Sequence, residues 1–201
     1  MMFETKLQKV LFLLEQQPLL RPRDLKRAGL PPEYLSYLYH QQRLEKIGRG
    51  LYALPDQPVD EHYSQLEVAK RVPDGILCLL SALEFHGLTT QNPFDIWLAL
   101  PAGRRSPKLA NLSLRFFHFS PEAYHAGIEV HTIRGIELKV YSVAKTIVDC
   151  FKFRNQVGLD VALEALKEGL LQKRFTQDEL WIHARICRMT TVMRPYLEAL
   201  L

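Results

Sequence analysis

The sequence predicts an α+β protein, with an amino-terminal winged helix-turn-helix followed by an α+β domain with a small antiparallel sheet and a carboxy-terminal helical bundle. Three observations carry that expectation. The formal net charge of +4 lies wholly in residues 1–50, where nine Lys and Arg face five acids, while the remaining 151 residues hold seventeen of each. Outside an alternating stretch at Leu44–Pro55 the hydrophobic period is helical up to about residue 87, alternates over 95–140 and is helical again afterwards. Pro and Gly punctuate the chain where one pattern gives way to the next.

Leu7, Val10, Leu11 and Leu14 recur at i, i+3, i+4, i+7, which places one apolar stripe on a helix over 5–17 that Pro18 closes. A short second helix fits Pro22 to Ala28, with proline in its first turn and Gly29 at its end. Pro31-Pro32 opens a third helix running to about Arg43. At ~100° per residue, Leu35, Leu38 and Tyr39 share one side with Tyr34 at its edge, and Glu33, Ser36, Tyr37 and His40 share the other, flanked by Gln41 and Arg43. Gln42 falls on the apolar side and breaks the pattern. Leu44 to Pro55 then alternates around Gly48-Arg49-Gly50, as a β-hairpin with a basic tip does.

Helix, helix, helix, basic hairpin is the winged-helix order. On it, Ser36, Tyr37, His40 and Gln41 supply short donors and acceptors for base edges. Arg43, Lys46 and Arg49 are placed to anchor phosphates or enter a minor groove. Arg21, Arg23, Lys26 and Arg27 lie beside the second helix and suit phosphates. The expected partner is double-stranded DNA. A winged helix used only for protein contacts has the same letters.

Residues 1–56 are read as the DNA-binding winged-helix domain, 56–61 as a polar linker with Pro55 and Pro58, and 62–201 as the α+β domain. Ser64-x-x-Glu67 has capping-box spacing for a helix that stops at Pro73. Gly75 to Phe85 reads as a very apolar helix ended by Gly87. Strands are expected at 95–100, 112–119, 128–133 and 136–141, the last two joined at Arg134-Gly135. Helices follow over 143–153 and 159–174, from a Thr176-x-x-Glu179 cap, and around Pro195.

No apolar run approaches the ~18 to 20 residues that cross a bilayer, and Glu4 and Lys6 interrupt any signal-like start, so a cytoplasmic protein with no membrane partner is expected. Cys78, Cys150 and Cys187 lack metal or disulfide spacing and read as small buried residues. His118, His125 and His131 match no ligand frame. Glu137-x-Lys139 with Asp95 is the one arrangement with catalytic flavour, resembling a metal-dependent nuclease set, although a half-buried strand gives the same alternation. Phosphate loops, nucleophile elbows and dinucleotide fingerprints are absent. The expectation is a non-enzymatic binding protein with no cofactor. Arg104, Arg105 and Lys108 form a second local basic group.

Three strings carry a wider likeness: Gly48-Arg49-Gly50-Leu51-Tyr52-Ala53-Leu54-Pro55, Leu80-Ser81-Ala82-Leu83-Glu84-Phe85-His86-Gly87-Leu88-Thr89, and Tyr141-Ser142-Val143-Ala144-Lys145-Thr146-Ile147-Val148-Asp149-Cys150. In this order and spacing they resemble the AbiEi-type antitoxins of bacterial type IV toxin–antitoxin and abortive-infection (phage-defence) systems. The resemblance implies a transcriptional autorepressor that binds repeats in its own promoter. It also implies that residues 62–201 counter a cognate nucleotidyltransferase toxin without need of a tight complex. For Ser81, Gly87 and Asp149 structural roles are favoured: a packed helix, its cap, and an N–H or Arg partner within a helix bundle. A plain regulator without a toxin, and the winged-helix nuclease, stand as alternatives.

Overall fold

The computed structural model describes residues 2–56, 62–109 and 111–200, and side chains from residue 5 onward. Most of the expected linker therefore lies outside the described residues. The chain divides into two compact units, residues 1–73 with 132–137, and 74–131 with 138–201. The first unit extends past residue 56 to take in a further helix.

In the first unit, α1 (Met2–Gln16) buries Leu7, Val10 and Leu14 against Leu25, Leu30, Tyr34, Leu35, Leu38 and Leu44. Each such side chain contributes roughly 1.5–3 kcal/mol when fully buried. Next come α2 (Pro22–Arg27) and α3 (Glu33–His40). Strands β1 (Glu45–Gly48) and β2 (Leu51–Ala53) pair antiparallel, with a register shift between Lys46 and Gly48. Leu20 joins that hairpin through an isolated bridge, exchanging N–H···O bonds of 2.9 and 3.0 Å with Tyr52.

Helix α4 (Tyr63–Arg71) completes the unit, sharing a second apolar cluster with Leu19, Leu51, Ala53 and Ile136 through Leu66. His62, not Ser64, is its N-cap residue. Glu67 pairs with Arg71 one turn on, so the capping-box spacing here marks an i,i+4 ion pair.

The second unit holds all but residues 132–137 of a five-stranded sheet in the order β5-β4-β3-β7-β6, built from β3 (Ile76–Leu77), β4 (Ile96–Pro101), β5 (Leu114–Phe119), β6 (Ile128–Ile133) and β7 (Ile136–Tyr141). It is mixed, which corrects the antiparallel expectation: β3 runs antiparallel to β4 but parallel to β7, and β4 runs parallel to β5. Alternation reveals faces, not strand direction, and the long loop after Pro101 returns the chain to start β5 in the direction of β4. The expected helix from Gly75 splits into β3 and α5 (Leu79–Phe85). A continuous buried apolar run fits either element, so its period cannot separate them.

The remaining helices are α6 (Pro121–His125), α7 (Val143–Lys152), α8 (Arg154–Val157), α9 (Leu159–Leu171), α10 (Gln177–Cys187) and α11 (Thr190–Leu200). Thr176 and Glu179 form the expected capping box of α10, and Pro195 lies inside α11. Every residue of α7 from Val143 to Phe151 is buried. Lys145 and Asp149 form an ion pair with both side chains wholly buried, and the Lys145 ammonium lies 4.7 Å from the Phe119 ring centre and 4.1 Å from that of Tyr141. The Cys187 thiol donates to Asp149 across 3.4 Å. Cys78, Cys150 and Cys187 are all free and buried.

Gly127 has φ +68°, and a Cβ there would lie 2.7 Å from Lys145 Cβ and 2.9 Å from His183 Cε1. Gly127→Ala combines left-handed strain with overpacking of a filled site, and should lower stability by about 2–4 kcal/mol in chemical denaturation. His86 Nε2 lies 2.7 Å from the Tyr141 carbonyl; since a carbonyl only accepts, Nε2 carries the proton and donates it. Burial outweighs that bond and pushes His86 below its usual 6.5, and burial lowers His183 as well. Unfolded rings take up protons near 6.5 while these folded ones stay neutral. Stability is therefore lost as pH falls from 6.5 through the lowered folded values, and His86→Asn should flatten part of that slope in melts between about pH 5 and 8.

Candidate nucleic-acid interface

The site is built from short elements whose ends are closely specified. In α2, proline opens the first turn, Lys26 and Arg27 occupy the last turn where cations favour the helix dipole, and Gly29 closes it at φ +69°. Leu30 N–H then reaches the Leu25 carbonyl at 2.8 Å, closing a Schellman turn. α3 ends at His40, three residues before the expected Arg43. Gln42 takes φ +56°, and Arg43 N–H bonds back to Leu38 O at 3.0 Å. The apparent defect in the helical pattern at Gln42 is thus a cap position outside the helix. Its turn sends Leu44 back into the core.

Tyr34, Leu35 and Leu38 face inward, while Glu33, Ser36, Tyr37 and His40 are exposed on one face. Gln41 and Arg43 are exposed just beyond the helix. Tyr39, expected with the apolar side, is 40% exposed and sets its ring edge-on to Tyr52 of β2 with centres 6.1 Å apart. It links α3 to the hairpin instead of filling the core.

The hairpin turn consists of Arg49 and Gly50, with Gly50 at φ +62°. Arg49 and Lys46 are exposed. So are Arg23, Lys26 and Arg27. Over residues 20–54 the exposed acids are Glu33 and Glu45, set against exposed Arg23, Lys26, Arg27, Arg43, Lys46 and Arg49. A polyanion meets a positive surface here.

Arg21 differs from the other expected phosphate contacts because it is half-buried. Its Nε has no hydrogen-bond partner, and burial, then Arg23, lower its proton affinity. Its backbone N–H donates to Asp24 Oδ2 at 2.8 Å, and the same oxygen accepts from Lys70 Nζ at 2.7 Å. Arg71 binds Glu67 at 2.6 Å. The Arg71 guanidinium carbon lies 3.2 Å from where a Cβ on Gly48 would stand, so it packs on the hairpin strand. Sequence reasoning missed Lys70 and Arg71, since no local spacing ties residue 70 to residue 24.

The second unit does not assemble the nuclease set. Leu77 registers with Val140 on one side and Leu98 on the other. That places Lys139 and Asp95 two strands and four residue positions apart, on the order of 13 Å along the strands and ~10 Å across them. Asp95 instead accepts from the Ser113 hydroxyl. Among the described residues no three His, Cys, Asp or Glu converge as a metal site. His118 Nε2 bonds the Arg104 carbonyl at 2.8 Å, and Arg104 pairs with Asp74 at 2.9 Å. Asp149 has Lys145 and Cys187 as partners, a packing role as the sequence allowed.

The architecture of the first unit can be compared with known families. Residues 8–55 match the family described as "Transcriptional regulator, AbiEi antitoxin". The AbiEi match runs from within α1 to just past β2, so it covers the three helices and the hairpin. Among curated proteins none matches. Among solved structures, the RV2827C protein from Mycobacterium tuberculosis has a similar fold, with TM-score 0.56 and 15% identity over 90% of this chain and 71% of that one. Among the described residues no helix is long and apolar enough to cross a membrane.

Gln42 pays the left-handed strain that glycine avoids. Gln42→Gly should raise stability by about 0.5–1 kcal/mol in urea denaturation while leaving the exposed α3 face unchanged.

Proposed function

We propose that this protein binds its own upstream DNA in the cytoplasm and represses its operon, with α3 in the major groove and the β1–β2 hairpin as the wing. The observation that carries this is the exposed Ser36, Tyr37 and His40 face, with Gln41 beside it, flanked by basic residues within a segment that matches a transcriptional-regulator family. Ser36, Tyr37, His40 and Gln41 read bases. Arg43, Lys46 and Arg49 with Arg21, Arg23, Lys26 and Arg27 hold the backbone.

Residues 62–201 supply the antitoxin function against a nucleotidyltransferase toxin of a type IV system, without catalysis or a cofactor. The antitoxin description belongs to the family that residues 8–55 match, and growth rescue on co-expression with a neighbouring nucleotidyltransferase gene tests its assignment to residues 62–201. No observation favours a second reading.

The DNA assignment is tested by binding of the full chain to its upstream DNA across a salt series. Arg49→Ala should weaken binding to all sequences and reduce the slope of log affinity against log salt by about one. His40→Ala should leave that slope alone and narrow discrimination between operator and scrambled DNA by roughly 1–3 kcal/mol. An unaltered affinity and slope for Arg49→Ala removes the wing assignment.

A further inference from the structure

We propose that α4 is a working part of the DNA-reading head, and that Asp24 and Lys70 are positioning residues whose ion pair fixes α2 and Arg21 against the wing. The inference rests on the DNA-binding reading above and adds to it a helix beyond Pro55, where the family match ends.

One carboxylate oxygen of Asp24 serves two masters in the chain. It accepts the Arg21 backbone N–H at 2.8 Å and the Lys70 ammonium at 2.7 Å. The residue before Arg21 is bonded on both sides to Tyr52 of β2, through Leu20 N–H and Leu20 C=O. Arg21 is thus pinned between the hairpin and α2, with its N–H, its preceding peptide and its helix start all committed. Its side chain leaves this junction half-buried, with an Nε that has no partner in the protein.

Lys70 itself cannot serve as a phosphate contact in this geometry. The side chains of Lys70 and Asp24 are only 7% and 12% exposed. The next residue of α4, Arg71, is turned by Glu67 and lies over Gly48 of the wing strand. α4 therefore holds α2 through Lys70 and the wing through Arg71, on two successive residues. Arg21, Arg23, Lys70 and Arg71 would repel one another without Asp24 and Glu67 between them. Neutralising Asp24 releases that repulsion at the junction.

The two accounts of Asp24 predict opposite signs. Asp24→Asn raises the net charge by one. If only charge mattered, the variant would bind DNA more tightly. If Asp24 positions Arg21 and α2, it binds more weakly despite the added charge. We expect the full-length D24N protein to lose about 5- to 20-fold in affinity for its upstream DNA, with the salt slope falling by up to about one as Arg21 leaves its phosphate. Lys70→Arg, which retains the pair, should stay within about twofold of wild type.

D24N binding as tightly as wild type, or more tightly, with a cooperative melt overturns the proposal. Should D24N fail to fold, Lys70→Met carries the test. Weaker binding that Arg21→Ala does not weaken further in the double variant supports positioning, whereas unchanged binding, or losses that add, show that Lys70 does not act through Arg21 and overturn it. Wild-type protein that does not bind the DNA sinks the functional reading and this inference together, whereas wild-type binding with an indifferent D24N sinks the inference alone.

Discussion

The Lys145–Asp149 pair is the interaction on which the second unit is built. Two charges with no solvent exposure cost several kcal/mol each to desolvate, and their mutual attraction repays this only when the remaining polar positions are also filled. α7 supplies the i,i+4 spacing, the Phe119 and Tyr141 rings supply their faces to the ammonium, and Cys187 supplies a donor to the carboxylate. Burial still pushes the Asp149 carboxyl up against the opposing pull of Lys145. Elements far apart in sequence must therefore converge on α7 together. β5, β7 and α10 each bring one of the groups that make the pair tolerable.

The first unit works by a different economy. Its apolar clusters are small, and much of its specificity lies in how helices end. Gly29 and Gln42 both close Schellman turns in the left-handed region, which aims the following leucines, Leu30 and Leu44, into the core. Leu20 and Tyr39 tie the hairpin to the helices from two sides. The result is a surface whose cations stand on short, fixed elements, and placement on such elements is what lets charge act as recognition and not merely attraction.

What could be read from the letters follows the range of the forces involved. The three amino-terminal helices and the hairpin were legible because caps, apolar stripes and turn residues are local signals. The exposed face of α3 followed from the same periodicity, apart from Tyr39, which left the core for a contact with Tyr52. β3 was hidden because an apolar run buried on both sides has no period to detect. The Ser64-x-x-Glu67 spacing misled because Glu67 had a stronger partner in Arg71. The roles of Lys70 and Lys145 were out of reach, since one depends on a residue 46 positions away and the other on rings brought in by two strands.

The three cysteines bear on how the protein meets chemical stress. All are buried, burial raises Cys78 and Cys150 well above the ordinary thiol value, and Cys187 is pushed up to about 12. Oxidants and electrophiles attack the thiolate, so protonated, shielded thiols are poor targets. Protonated and shielded in this way, the three thiols give peroxide or an alkylating agent no foothold in the core of the second unit.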